Sequence, residues 1–373
     1  MIRTKMTVHI ESRMRDLLEQ GVGEGVFPGA VLLVSKGEEI VLTEVVGSLS
    51  IEPGPAPMKR DTIFDLASLT KPLATTLALM KIVDSGAMDL DEPLGDVIKK
   101  SLPEDKRGIT PRFLLNHCAG LKDWEPFYRD LVALQPRKRR QALRERIVSI
   151  PLAYGPGDRC LYSDLGFMIL EWAIEEATGQ AMGTFVKESF YEPLRLERIF
   201  LASEDNLKAA RKGDFAATEY CPWRNRVIQG EVHDENAYAL GGYSGHAGLF
   251  GAAEGVYGIA GMLREHYFGN REDYLSSETV RAFFSRQDIV TGSTWALGWD
   301  TPSPEASSSG RYFSENSVGH LGYTGTSLWV DLEKDVIVIL LTNRVHPTRN
   351  NEKIKEFRPI LHDRVMEALG LDR

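Results

Sequence analysis

Ser68 and Lys71 stand three residues apart in the stretch Phe64–Asp65–Leu66–Ala67–Ser68–Leu69–Thr70–Lys71–Pro72. A serine hydroxyl is a weak nucleophile until a neighbour takes its proton, and a lysine kept neutral by burial can be that neighbour. On a helix, residues three apart share a face, so the hydroxyl and the amine can meet. A helix start at Ser68 would add free N–H groups and partial positive charge, which suits an oxygen that must become an anion. Alone, the tetrapeptide reads equally well as a helix cap followed by a solvated lysine. Its meaning depends on what the rest of the chain brings to it.

Three further stretches carry chemistry. Tyr154–Gly155–Pro156–Gly157 turns the chain and delivers Tyr162 and Asp164 just before an apolar run, where Asp164 could also be a simple helix cap. Gly319–His320–Leu321–Gly322–Tyr323–Thr324–Gly325 precedes a strand-like segment, and closely spaced glycines there let another group approach the backbone. Finally, His233, Asp234, Glu235 and Asn236 are followed by His246. These acids and histidines could be read as metal ligands, but no His-x-x-x-His spacing supports that and serine chemistry needs no ion, so no metal or cofactor is expected.

The elements that must position these groups follow from periodicity. Leu69, Leu73, Leu77, Met80 and Val83 have helical spacing, and Pro72 is tolerated because the first helical amides lack intrahelical partners. Residues 28–35 and 39–47 read as a hairpin, as do 327–331 and 336–342, whose second strand is apolar throughout and therefore buried on both faces. Ile10, Met14 and Leu17–Leu18 predict an amphipathic first helix over Met1–Gln20, with Met6 on the same side, and Pro359 is expected to open a last helix ended by Gly370. Thr110–Pro111 starts a short helix, after which His117 is expected to be a packed, hydrogen-bonded residue. The Ser-rich stretch 302–310 reads as a surface loop. Strands at both ends with helices between imply a mixed α/β fold. Its antiparallel sheet would be built from both termini (about 1–74 and 236–373), with a mainly helical subdomain of about 75–235 inserted in a single catalytic domain.

Composition excludes several classes. With 373 residues, 43% hydrophobic, and a net charge of −9, the chain can bury a large core and is a poor partner for nucleic acid. The basic run Arg137–Arg140 lies in a helix-like stretch and reads as a solvated face. Three scattered cysteines make neither a disulfide framework nor a zinc knuckle. No apolar run is long enough to span a membrane and no signal-peptide core is seen, so a cytoplasmic protein is expected.

Taken together and in order, the motifs resemble those of the serine β-lactamases and penicillin-binding proteins, in the class C-like branch that includes many esterases and peptidases. Ser68–Leu69–Thr70–Lys71 corresponds to that branch's Ser-x-x-Lys, Tyr162–Ser163–Asp164 to its Tyr-x-Asn, and His320–Leu321–Gly322 to its edge-strand triplet. Leu114–Leu115–Asn116–His117–Cys118–Ala119–Gly120–Leu121 is similar to the branch's Leu-Leu-x-His-x-x-Gly-Leu stretch, and the resemblance covers nearly the whole chain. It implies a β-lactamase-like fold and a serine hydrolase working through an acyl-enzyme on an amide or ester. Ser68 would be the acylated nucleophile, Lys71 its proton acceptor or electrostatic partner, and Tyr162 a second base. The N–H groups of Ser68 and Tyr323 would form the oxyanion hole.

Two departures matter. His320 stands where the branch has lysine, and it can donate to a substrate carboxylate or to Tyr162 without being charged at neutral pH. Asp164 replaces an asparagine and cannot donate as an amide does, which leaves it free to serve Lys71. The stretch 231–250 is similar to that of relatives that remove peptides from N-acetylmuramic acid in cell-wall recycling. On that resemblance His233, Asp234, Glu235 and Asn236 would line the substrate cleft, though each could equally shape a loop. The expected substrate is a small molecule or peptidoglycan fragment, preferably a peptidoglycan-derived amide. A small-ester esterase, a β-lactamase or D-alanyl peptidase, and a non-catalytic penicillin-binding or ligand-sensing relative are the alternatives. Oligomeric state is left open.

Overall fold

A computed structural model describes residues 2–52, 54–100 and 102–373, and all side chains among them except those of 2–9, 204, 208 and 209. Its strands, in chain order, are β1 (Gly29–Lys36), β2 (Glu39–Ser50), β3 (Ala56–Pro57), β4 (Phe64–Asp65), β5 (Ile199–Leu201), β6 (Tyr220–Cys221), β7 (Arg226–Val227), β8 (Leu249–Gly251), β9 (Ser317–Leu321), β10 (Ser327–Asp331) and β11 (Val336–Thr342). Six of them form one antiparallel sheet in the order β3-β2-β1-β11-β10-β9. The two ends of the chain meet in its middle, where Val31 faces Leu341 and Leu33 faces Ile339.

Alternation along the central strands assigns each residue to one of two cores. Ala30, Leu32, Val34, Val336, Val338 and Leu340 pack under the helices Ile2–Gly23 and Ile354–Ala368. Val31, Leu33, Ile337, Ile339 and Leu341 point the other way, into the core shared with the helical region. All seven residues of β11 are buried, as an apolar run without alternation requires when both faces are covered. In the first helix Ile10, Met14 and Leu18 are buried as its spacing predicts. Met1 lies outside the described residues.

The region 75–235 contributes the helices Pro136–Ser149 and Asp164–Thr178 among others, and it also contains β5 to β7. Strand β5 leaves it to pair with β8, which pairs in turn with β4, so a small second sheet stitches the helical region to the segment just before Ser68. The stretch 302–310 forms neither helix nor strand. No helix among the described residues is long and apolar enough to cross a membrane.

Two local expectations are corrected. The helix bearing Pro359 begins at Ile354, five residues earlier than the proline suggested. Pro359 costs it one amide donor on a partly exposed face, while Ile354, Phe357, Leu361 and Val365 stay buried on the other. The helix after Ser68 is not a regular α-helix from its start. Ala67–Leu69 is a 3₁₀ turn, Lys71–Thr76 is π-helical, and α geometry begins only at Leu77. Leu77 N–H turns to the Ala74 carbonyl, and the freed Leu73 carbonyl accepts the Tyr191 hydroxyl at 2.9 Å. A widened first turn of this kind often marks a functional site.

Candidate active site

Ser68 is presented by a strained turn. Ala67, a non-glycine residue, has φ of +47°, a conformation that persists only where its surroundings hold it. Here its N–H donates to Asp65 Oδ1 at 2.9 Å and its carbonyl accepts from Thr70 Oγ1 at 2.6 Å. Lys71 is fully buried, and its ammonium donates to Ser68 Oγ (3.0 Å), Asp164 Oδ1 (2.7 Å) and the His246 carbonyl (3.1 Å). Burial pulls its proton affinity down, but Asp164 and Tyr162 overcome this and hold it above the usual lysine value. At rest Lys71 is therefore charged and is a donor to Ser68, not yet a base.

Tyr162 and Asp164 arrive as the turn before the apolar helix predicts. Ser163, not Asp164, caps that helix by accepting from Gly166 N–H at 3.3 Å, so the Asp164 carboxylate is free to face Lys71. Tyr162 is 36% exposed on the cleft, and the Lys71 ammonium lies 4.8 Å from the centre of its ring. Burial raises its proton affinity more than Lys71 lowers it, so Tyr162 is also protonated at rest. His117, just past the helix Pro111–Leu115, accepts the Ser163 N–H at its Nδ1 (3.0 Å) and packs its ring 4.6 Å from that of Tyr162. Burial holds it far below the usual histidine value, hence neutral. Trp295 closes the stack, with ring centroids 4.4 Å from His117 and 5.8 Å from Tyr162.

The opposite wall is the end of β9. Thr324 Oγ1 donates to the Asp65 carbonyl (2.7 Å) and Thr326 Oγ1 to the Leu66 carbonyl (3.1 Å), which fastens this edge to the turn bearing Ser68. Gly322 is required by that closeness, because a Cβ there would sit 2.0 Å from Thr326 Oγ1 and 2.6 Å from the Leu66 carbonyl. Tyr323 N–H, free of any hydrogen-bond partner among the described residues, follows at the rim. His320 Nδ1 lies 2.9 Å from the Leu321 carbonyl, which can only accept, so Nδ1 carries the hydrogen and Nε2 is left as a buried acceptor. Burial, reinforced by the charge of Lys71, pushes this histidine down to about 3. His320 is thus neutral and offers an acceptor, which corrects the expectation that it could donate to a substrate carboxylate.

Between these walls runs a cleft of about 350 Å³ lined by Ser68, Tyr162, Trp295, His320, Tyr323 and Arg358, among others. A larger hollow of about 780 Å³ beside residues 183–201 contains none of these groups. Arg358, from the last helix, is 4% exposed, donates to the Thr326 carbonyl at 3.5 Å, and has an Nε without a partner among the described residues. Burial and the neighbouring Arg344 lower it to about 10. Arg344 itself bonds carbonyl oxygens of Tyr323, Arg349 and Asn351.

The stretch 233–236 turns its polar atoms inward. His233 donates its N–H to Asp65 Oδ2 (2.7 Å), stacks on Tyr323 and sets Nε2 3.4 Å from Glu219. Asp234 caps the helix Glu235–Ala239 through Ala237 N–H and meets His246 Nε2 at 3.0 Å. Glu235 pairs with Arg349 at 2.7 Å, and Asn236 is buried, tying Tyr128 N–H to the Glu125 carbonyl. These residues brace the wall of the site. One oxygen each of Asp164 and Asp234 and one ring nitrogen of His246 lie within 4.8 Å of one another, close enough to hold a cation. The Lys71 ammonium already sits on Asp164, however.

The family profile described as Beta-lactamase matches residues 14–360. The chain belongs to the Beta-lactamase family. Two curated relatives cover 90% of it: an N-acetylmuramyl-L-alanine amidase of Bacillus subtilis, 32% identical over 361 residues and 81% of its own length, and a putative D-alanyl-D-alanine carboxypeptidase of Escherichia coli K12, 31% identical over 366 residues and 82% of its length. Among solved structures, a penicillin-binding protein homologue from Caulobacter crescentus superposes with a TM-score of 0.73 over 96% of this chain and 97% of its own, at 17% identity, a likeness of fold. As a Beta-lactamase family protein the chain is a hydrolytic enzyme of the amide- and ester-cleaving kind.

Proposed function

We propose that this protein is a serine amidase that cleaves a peptidoglycan-derived amide through an acyl-enzyme. The observation that carries the reading is the buried Lys71 ammonium, which donates to Ser68 Oγ at 3.0 Å and lies 4.8 Å from the centre of the Tyr162 ring. Lys71 and Tyr162 share one mobile proton. Loss of that proton leaves a base beside Ser68, which attacks the substrate carbonyl carbon as its hydroxyl proton passes to the pair. The N–H groups of Ser68 and Tyr323 hold the oxyanion. The pair returns the proton to the departing amine, and water then attacks the ester on Ser68 by the same route in reverse. His320 Nε2 can accept a hydrogen bond from the leaving amine. The amidase relative supports a substrate in which an acylated sugar acid is joined to a peptide. The expected cytoplasmic site of action, on released wall fragments, belongs to the same proposal.

A second reading, removal of a C-terminal residue from a peptide, is favoured by one observation, Arg358 lining the cleft with its Nε unsatisfied and no carboxylate partner among the described residues. A guanidinium without a carboxylate suits a substrate that brings one. Incubation with muropeptides, followed by mass analysis, separates the readings. Release of an intact peptide from the sugar supports the amidase, and loss of one terminal residue supports the carboxypeptidase. Ser68→Ala is expected to abolish both, along with labelling by a fluorophosphonate; wild-type turnover in that variant would remove Ser68 from the mechanism. Labelling of the wild type without any product would mark a binder in place of an enzyme.

A further inference from the structure

His246 lies in the loop before β8, 1% exposed, with Nε2 on Asp234 Oδ1 at 3.0 Å and a buried Nδ1 that has no partner among the described residues. Its backbone carbonyl holds Lys71, and one of its ring nitrogens lies within 4.8 Å of an oxygen of Asp164, which pairs with Lys71. Positive and negative groups therefore alternate from the nucleophile into the protein, as Lys71, Asp164, His246 and Asp234. Neither His246 nor Asp234 reaches Ser68, and the steps above use neither.

We propose that His246 and Asp234 are positioning residues that make the Ser68–Lys71–Tyr162 group easier to deprotonate, His246 supplying a second positive charge against Asp164. Resting on the serine mechanism proposed above, this gives the charge balance a purpose. With Lys71 alone on Asp164, the pair is closed and its proton is held tightly. A second cation divides the hold of that carboxylate and repels the ammonium. Asp234 keeps the imidazole charged: burial opposes its protonation, but Asp234, with help from Asp164, raises it above the ordinary value. His246 in turn holds Asp234 far below the usual carboxylate range, against the burial that would raise it.

The other titratable groups around this cluster include Tyr162, His117, His320, His233 with Glu219, Asp65, and the Glu171–Arg140 pair, whose carboxylate holds Ser244 and Gly245 just before His246. His117 and His320 are neutral, and burial raises the proton affinity of Asp65. The sign of the effect does not depend on whether Lys71 or Tyr162 gives up the proton, because a nearby cation favours the deprotonated form of either.

The test is kcat/KM of the intact protein on a p-nitrophenyl short-chain ester from about pH 5 to about pH 10, in wild type, His246→Gln, Asp234→Asn and Asp234→Glu. His246→Gln is expected to move the acidic limb to higher pH by about one unit or more, the size of one removed charge at this range. Asp234→Asn still caps its helix, so it guards against simple misfolding, and it is expected to shift the limb the same way by leaving His246 neutral. Asp234→Glu keeps the charge and is expected to restore most of the shift. A limb that stays in place in both His246→Gln and Asp234→Asn, whatever happens to the rate, or that moves to lower pH, overturns the inference. Ser68→Ala in the same assay separates the two claims, since retained activity there strikes the serine mechanism itself.

Discussion

The two walls of the cleft treat charge in opposite ways. On the helical side the charged groups named above are paired: Lys71 with Asp164, His246 with Asp234, and, just behind, Arg349 with Glu219 and Glu235. On the side of β9 and the last helix, Arg358 is buried beside Arg344 with only a distant carbonyl, and His320 is neutral. A paired wall can hold and pass a proton without help from outside. An unpaired cation raises the free energy of the empty site and is relieved when an anion arrives. On the proposed mechanism, the contrast would separate groups for bond making from groups for recognition.

The sharpest way to break the comparison is at the proton pair. Tyr162→Phe keeps the ring against His117 and Trp295 and deletes only the hydroxyl, and it is expected to lower kcat by about 10²–10⁴. Lys71→Met is expected to cost as much, and the double variant little more than either, because the two residues act on one proton. A double-mutant cycle that multiplied, or a Tyr162→Phe enzyme within about twofold of wild type, would mean the wall does not work as a unit.

Next in size is the brace behind it. Burial alone would raise Glu219, but Arg349 and His233 bring it down to about 2. A carboxylate depressed in the folded state contributes stability above its unfolded value of about 4.5, and that contribution is lost as pH falls toward 2. Glu219→Gln is therefore expected to cost roughly 3 kcal/mol near neutral pH, and the difference from wild type should shrink steadily between about pH 5 and pH 2 in denaturant titrations. A pH-independent difference would make the loss one of packing.

The smallest effect tests the other wall. Arg358→Met is expected to raise the melting temperature, since it removes an uncompensated buried charge. It should also raise KM about tenfold for a substrate carrying a carboxylate while leaving a neutral ester nearly unaffected. Equal effects on both substrates would remove the distinction between the walls.

Much of this was legible in the sequence where chemistry depends on short spacing. Ser68 and Lys71 meet because they are three residues apart, Tyr162 and Asp164 follow a turn that Gly and Pro announce, and His320 stands on a strand edge beside closely spaced glycines. The sheet closed by both termini followed from alternation and from the unbroken apolar run of β11. What could not be read were the partners. The π-helical turn has its Leu73 carbonyl bonded by the hydroxyl of Tyr191, more than a hundred residues away. The union of His246 with Asp234 and Asp164, and the isolation of Arg358, are made by loops whose approach has no periodic signal. His117 was expected to be packed and hydrogen bonded, and it is, but its hold on Ser163 and its stack with Tyr162 and Trp295 appear only in three dimensions. The inward turn of residues 233–236 was hidden for the same reason: polar side chains look alike in sequence whether they face substrate or brace a wall.

The meeting of β1 with β11 also has a consequence during synthesis. Val31 must wait for Leu341, so the first hairpin leaves the ribosome with its β1 edge unpaired until nearly the whole chain has been made. Such an edge, buried and apolar in the finished fold, is a template for pairing with another copy. Contacts of this sequence separation also close slowly. A nascent chain of this fold is thus most at risk of association in the interval before β11 emerges, and slow translation of the helical region would lengthen that interval.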